Sequence, residues 1–315
     1  MNPTQRKRLF VVLGMHSGGT SVTTRCLRVL GVSLGDNLMV GDQPGVNEKG
    51  FFEDVDVNTI NIELLGMLGH DWHTLTPIMP DEMNQVKTSS LKESAVELLK
   101  KKTSKSAYFG FKDPRMSRLL PFWKNVFVEL NCQVSYIITC RNPMSVAKSL
   151  SKRDGFDIEK GYYLWLEHML STVALTRNQH RIVVDYDLIM DAPQEELQRM
   201  ADQLGVELDL NGPCYASFHQ EYLDRSLRHT RYCVDKLNLD VKMPSIVTDL
   251  YQLLLNMETD QVKLDHSDVS SQIASIQSNF NILIPALRFM GVLENQVTQH
   301  NHRIAECKHT ISRRE

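Results

Sequence analysis

RLFVVLGMHSGGTS, residues 8–21, decides the fold. The apolar stretch from Leu9 to Leu13 runs straight into a glycine-rich turn. Such a run reads as a central parallel strand buried on both faces. From Thr20 the period changes: Val22, Cys26, Leu27 and Leu30 share one helical face, and Gly31 offers a stop. The opening unit is therefore strand, glycine turn, helix. The turn, Gly14-Met15-His16-Ser17-Gly18-Gly19-Thr20-Ser21, has the frame G-x-x-x-x-G followed by two hydroxyl residues. Glycines let successive backbone N–H groups point inward at an anion, and the helix N-terminus adds positive potential. The loop is nearly a Walker A loop, with Thr20 where the lysine would stand. A nucleoside triphosphatase uses that lysine, with magnesium, to neutralise the β- and γ-phosphates. An ordinary P-loop kinase or NTPase is thus the rival reading rather than the leading one.

Downstream the same alternation repeats. Residues 107–112 and 133–140 and the stretch RIVVDY (181–186) read as strands. Residues 54–68, 91–102, 119–130, 143–152, 157–177 and 193–204 read as helices. Strands separated by helices imply an α/β fold, a parallel sheet flanked by helices. Ligands of such sheets bind beyond the carboxyl ends of the strands. Two further sequences fall there. Phe111-Lys112-Asp113-Pro114-Arg115 offers two cations, Lys112 and Arg115, where an anion should sit. After the third strand comes Cys140-Arg141-Asn142-Pro143, with Ser149 two helical turns on. Arg141 suits bidentate pairing with a phosphate and Ser149 a hydroxyl contact, a second anion site apart from the first loop.

The chain has 315 residues, 42% of them hydrophobic and 23% charged, an ordinary globular balance. Its net charge of −3 supplies no global basic field, so no nucleic-acid partner is expected and anion binding must be local. The six cysteines are scattered without a CxxC pair, which argues against a zinc site or a disulfide framework and for the reducing cytoplasm. Arg6, Lys7 and Arg8 precede an apolar stretch too short for a signal peptide, and no window is long and apolar enough for a transmembrane helix. A domain is expected over 1–225 and a helical extension over 226–315. In the extension Ile273, Ile276, Phe280, Leu283, Leu287 and Met290, then Val297 and Ile304, follow steps of a coiled-coil seam, with Glu294 and Asn301 as polar members and Pro285 as an expected kink. Both an amphipathic helix packed on the domain and an oligomerising or partner-binding helix over 268–313 satisfy that pattern.

Taken together, residues 8–205 resemble the sulfotransferase family. Gly14 to Ser21 is similar to its 5′-phosphosulfate loop, commonly K/R-S-G-T-S/T, and Arg141 with Ser149 to its 3′-phosphate site, R-x7-S. Asn47-Glu48-Lys49-Gly50-Phe51-Phe52-Glu53, Lys112 to Arg115 and Val184-Asp185-Tyr186-Asp187-Leu188 are similar to segments of bacterial members. The resemblance implies a P-loop-like fold and transfer of a sulfuryl group from 3′-phosphoadenosine 5′-phosphosulfate (PAPS) to a hydroxyl or amine, on a glycan, with no metal required. It assigns Gly14, His16, Ser17, Gly18, Gly19, Thr20, Ser21, Lys112, Arg115, Arg141 and Ser149 to the donor. One position departs: Ser17 stands where the family carries Lys or Arg, and Gly18 replaces its serine. The missing charge must come from elsewhere, with Lys112 the first choice, or the chain is a catalytically impaired nucleotide-binding scaffold. Arg25 is expected to point along the surface of its helix. Glu53 is the first choice for the general base, His16 its rival and Asp113 the third. Trp72, His73 and Trp123 are candidates for acceptor contact, against a core role for the two tryptophans.

Overall fold

The computed structural model describes residues 7–41, 50–86, 90–223, 237, 239–260 and 263–312. Asn47, Glu48 and Lys49, Cys233 and the expected domain boundary at 225 lie outside them. Four strands, β1 (Arg8–Leu13), β2 (Tyr108–Lys112), β3 (Gln133–Cys140) and β4 (Arg181–Asp185), form one parallel sheet in the order β2-β1-β3-β4. After β1 the chain adds β2 on one side and then crosses back to add β3 on the other. The switch point therefore lies between β1 and β3, and the crevice for a ligand opens beyond their carboxyl ends.

The residues of β1 alternate between two cores. Leu9, Val11 and Leu13 face a layer made by α2 (Val55–Met67), α4 (Ser90–Thr103) and α5 (Met116–Leu130). Phe10 and Val12 face α1 (Thr20–Val29), α8 (Tyr186–Asp191) and α9 (Pro193–Leu204). The β3–β4 end packs on α6 (Pro143–Asp154), α7 (Ile158–Leu175), α11 (Ser245–Glu258) and the start of α12 (Ser267–Ser312). Helices α6 and α7 approach so closely at Gly161 that a Cβ there would lie 2.7 Å from the Ala147 Cα atom.

Helix starts follow local chemistry. Asp54 caps α2 through the Asp56 and Val57 N–H groups, and Asn142 caps α6 through Met144 and Ser145, with Pro143 in the first turn. The strands match the expected segments. α5 begins three residues earlier than expected, because Asp113 accepts from the Arg115 N–H and the Asp113 carbonyl from the Met116 N–H. Short helices α3 (Pro80–Val86) and α10 (Pro213–Ser217), with a π-helical turn over Phe218–Tyr222, complete the description. Helix α12 runs through Pro285 without interruption. Of its expected seam, Ile273, Ile276, Phe280 and Leu287 are buried on the domain, while Met290, Val297 and Ile304 are exposed. No helix among the described residues is long and apolar enough to cross a membrane.

Candidate functional site

The loop between β1 and α1 is built around its glycines. Gly19 has φ +91°, and a Cβ there would lie 2.5 Å from the Tyr186 ring. A Cβ on Gly18 would lie 2.7 Å from the Met15 carbonyl oxygen. Only glycine permits that curl. Ser17 adopts φ +59° without being glycine. Beneath, the Ser117 hydroxyl bridges the backbone of Gly14, 3.1 Å from its nitrogen and 3.2 Å from its oxygen.

Arg141 leaves β3 and donates from Nη1 to the Ser17 carbonyl oxygen at 2.9 Å. Its guanidinium lies over the Tyr186 ring, 4.3 Å from the centroid, a cation–π contact. The end of β3 and the glycine loop thus share one crevice. Ser149 is half-buried on α6, and no side-chain hydrogen bond joins it to the loop. Around the crevice, His16 Nε2, Thr139 Oγ1, Arg141 Nε and Ser145 Oγ are buried polar atoms with no partner among the described residues. A polyanion with many acceptor oxygens fits such a set, since orphaned donors are costly.

Lys112 is 1% exposed at the end of β2. Its ammonium donates to Glu53 Oε1 at 2.5 Å, the Phe51 carbonyl at 2.6 Å and the Ser21 hydroxyl at 3.3 Å, which places it at the loop's hydroxyl end. Burial pushes the Glu53 carboxyl up against the pull of Lys112, and pushes the Lys112 ammonium down against the pull of Glu53. An arriving anion would favour the charged ammonium. Asp113 is fully buried with both carboxylate oxygens engaged: Oδ2 accepts from Asn58 at 2.9 Å, and Oδ1 from the Arg115 backbone N–H and guanidinium at 2.9 and 3.1 Å. It holds the turn after β2 and Arg115 within it.

His16 faces the other wall. Its ring lies 4.4 Å from Trp72, which also meets Phe156 at 5.6 Å and His73 at 5.4 Å. Burial and the cations Arg115, Arg153 and Lys112, with His168, push the His16 imidazole well below its ordinary value, so it is neutral. The segment carrying Trp72 is pinned from beneath by Arg118, which donates to the Asp71 carbonyl at 2.8 Å and the Thr76 carbonyl at 2.6 Å. Arg118 Nε and His168 Nδ1 each lie 3.1 Å from Glu167 Oε2, all within the core. Burial alone would raise the Glu167 carboxyl, but Arg118 and His168 together hold it below its usual range.

Several expectations meet different surroundings. Trp123 is wholly enclosed, its Nε1 donating to Asn61 Oδ1 at 2.7 Å, so it is a core residue rather than an acceptor contact. Arg25 does not run along an open surface; its guanidinium lies between the Phe52 and Tyr222 rings, 5.6 and 5.3 Å from their centroids. Phe156 and the Arg118–Glu167–His168 group were not singled out from sequence, and Tyr186 entered only within the segment Val184 to Leu188, with no role of its own. Tyr186 had a usable signal, since it directly follows a buried parallel strand. Arg118, Glu167 and His168 sit inside helical patterns that give no such cue. Among the described residues no cluster of His, Cys, Asp and Glu is placed to hold a metal ion.

No protein-family profile and no curated protein matches the chain. Among solved structures, it is similar to the sulfotransferase domain from the Synechococcus PCC 7002 olefin synthase, at 12% identity and a TM-score of 0.41, over 89% of this chain and 98% of that one. It is likewise similar to the sulfotransferase domain from the curacin biosynthetic pathway, at 12% identity and a TM-score of 0.44, over 81% and 99% of the two chains.

Proposed function

We propose that this chain transfers a sulfuryl group from PAPS to a hydroxyl or amine of a glycan. The observation that carries the reading is the bond from Arg141 to the carbonyl of Ser17. It unites the 3′-phosphate candidate and the 5′-phosphosulfate candidate in one crevice at the switch point of the sheet. Gly14 to Ser21 would hold the phosphosulfate, and Arg141, with Ser149 two turns along α6, the 3′-phosphate. PAPS would supply the sulfuryl group and leave as the 3′,5′-bisphosphate. Lys112 would stabilise the charge that grows on the leaving oxygen, the part played in the family by the cation that Ser17 replaces.

For the base, the geometry supports His16 over Glu53. Glu53 has Oε1 tied to Lys112 at 2.5 Å and only Oε2 without a partner among the described residues, whereas His16 is neutral and its Nε2 has no partner among them. Its neighbour Trp72, joined by Phe156 and His73, forms an aromatic wall suited to a sugar ring. The glycan assignment rests on that wall and on the family resemblance. The five described cysteines are free thiols, which supports a cytoplasmic setting.

Thermal shift with adenosine 3′,5′-bisphosphate, AMP and ATP tests the donor without knowledge of the acceptor. The bisphosphate should raise the melting temperature well above AMP or ATP at equal concentration. Equal shifts, or turnover of ATP with magnesium, would return the chain to the kinase reading. The Ser17 substitution favours a second reading, a nucleotide-binding scaffold without transfer. Binding of the bisphosphate with no transfer to any glycan, before or after Ser17→Arg, would decide for it.

A further inference from the structure

Helix α12 runs on well past the part of it that packs on the domain. Its first half is seated: Val269, Ile273, Ile276, Phe280 and Leu287 are buried against α7 and α11. Farther along, Glu294 ties the helix to the domain by accepting from Lys160 at 2.8 Å. Every side chain described from Val292 to Cys307 is exposed, a rod of about 24 Å at the rise of an α-helix.

That rod is not polar all round. Met290, Val297 and Ile304 recur every seven residues, and Leu293, His300 and Cys307 fall three residues after each. Nearer the domain, Ile282 and Phe289 continue an apolar stripe on a face turned away from the core, 74% and 63% exposed. Val297 and Ile304 are 57% and 53% exposed. Ile282, Phe289, Met290, Leu293, Val297 and Ile304 leave on the order of 600 Å² of apolar surface per chain in water. That reaches the upper end of what a monomer carries and approaches one partner's share of about 800 Å² in a standard interface.

We infer that α12 pairs with α12 of a second copy in a parallel two-stranded coiled coil, with Met290, Val297 and Ile304 at one core position and Leu293, His300 and Cys307 at the other. A row of this spacing is self-complementary, as a two-fold interface requires. Branched Val and Ile at the first core position favour two parallel strands. The polar His300 limits the register in which the seam can close. The pairing is independent of the proposed chemistry.

Sedimentation and light scattering of the full chain across a concentration series test it. The expected mass is twice the 36.1 kDa of one chain, falling to one chain for Val297→Asp/Ile304→Asp with an unchanged circular dichroism spectrum. Val297→Ser/Ile304→Ser should weaken the dimer in the same direction. Mild oxidation should give a Cys307–Cys307 linked dimer that Cys307→Ser abolishes. A single-chain mass at every concentration, or a dimer indifferent to both double substitutions, would overturn the inference. A dimer that cannot be linked through Cys307 would overturn the parallel arrangement.

Discussion

Arg141 and Ser17 are joined across 124 positions of sequence by a single hydrogen bond to a backbone oxygen. The bond uses one guanidinium nitrogen and leaves Nε without a partner among the described residues. Because the acceptor is the main chain, the link survives whatever side chain stands at 17. The crevice between β1 and β3 is therefore set by the fold, and its chemistry by the residues hung on it.

Arg141→Ala should weaken binding of adenosine 3′,5′-bisphosphate by about 1.5–3 kcal/mol, the range for hydrogen bonds to charged groups. Arg141→Lys should not restore it, because a lysine lacks the planar fork that lies over Tyr186. Calorimetry giving an unchanged affinity for the alanine variant would remove Arg141 from the site.

Gly19→Ala forces a Cβ into the Tyr186 ring at a left-handed φ. The expected loss is about 2 kcal/mol or more in urea denaturation, with reduced bisphosphate binding. Adding Tyr186→Ala should recover part of the stability by removing the ring. No recovery would mean that backbone strain, not the ring, sets the cost.

Arg118→Met leaves Glu167 buried without its guanidinium partner and frees the Asp71 and Thr76 carbonyls. Breaking one side of such a pair costs about 3–5 kcal/mol. A midpoint within error of the parent would show that the group contributes little.

Asp185 caps α8 from a buried position, and burial, with Asp187 adding to it, raises its carboxyl from 3.8 to about 7. The folded state holds this proton where the unfolded chain has released it, so stability falls as pH rises from 3.8 to about 7. Asp185→Asn keeps a capping oxygen without the charge. It should stabilise the protein at pH 8 by about 1 kcal/mol or more, with the gain shrinking as pH drops from about 7 toward 3.8. Equal effects in acid and at pH 8 would show that Asp185 carries no buried charge.

His16→Ala should reduce transfer about 100-fold or more, as loss of a general base requires, with a much smaller loss of bisphosphate affinity. Glu53→Gln should instead disturb Lys112 and weaken donor binding. Rates that fall for Glu53→Gln alone would return the base to Glu53.

The framework was legible because β1, β3 and β4 are short apolar runs beside glycine, proline or aspartate, and helices such as α1 and α5 keep a clean period. The loop Gly14 to Ser21 was legible for the same local reason. The partners that complete the site were not. Ser117, Tyr186 and Arg118 act on residues 103, 167 and 47 positions away, a tertiary fact that no spacing records. Short α3 was also hidden: Met79 is capped by Glu82 rather than by a hydroxyl residue, and seven residues give too little periodicity to read. Trp72 and Trp123 looked alike as letters, and only burial separates the wall residue from the core residue.

Arg118 fastens the 71–76 segment through its carbonyl oxygens and not through the rings that segment displays. Trp72 and His73 can therefore be exchanged for other side chains without unseating the strip that bears them. The Trp72 ring that meets His16 is thus carried by a strip whose own position depends on the core beneath it and not on that ring.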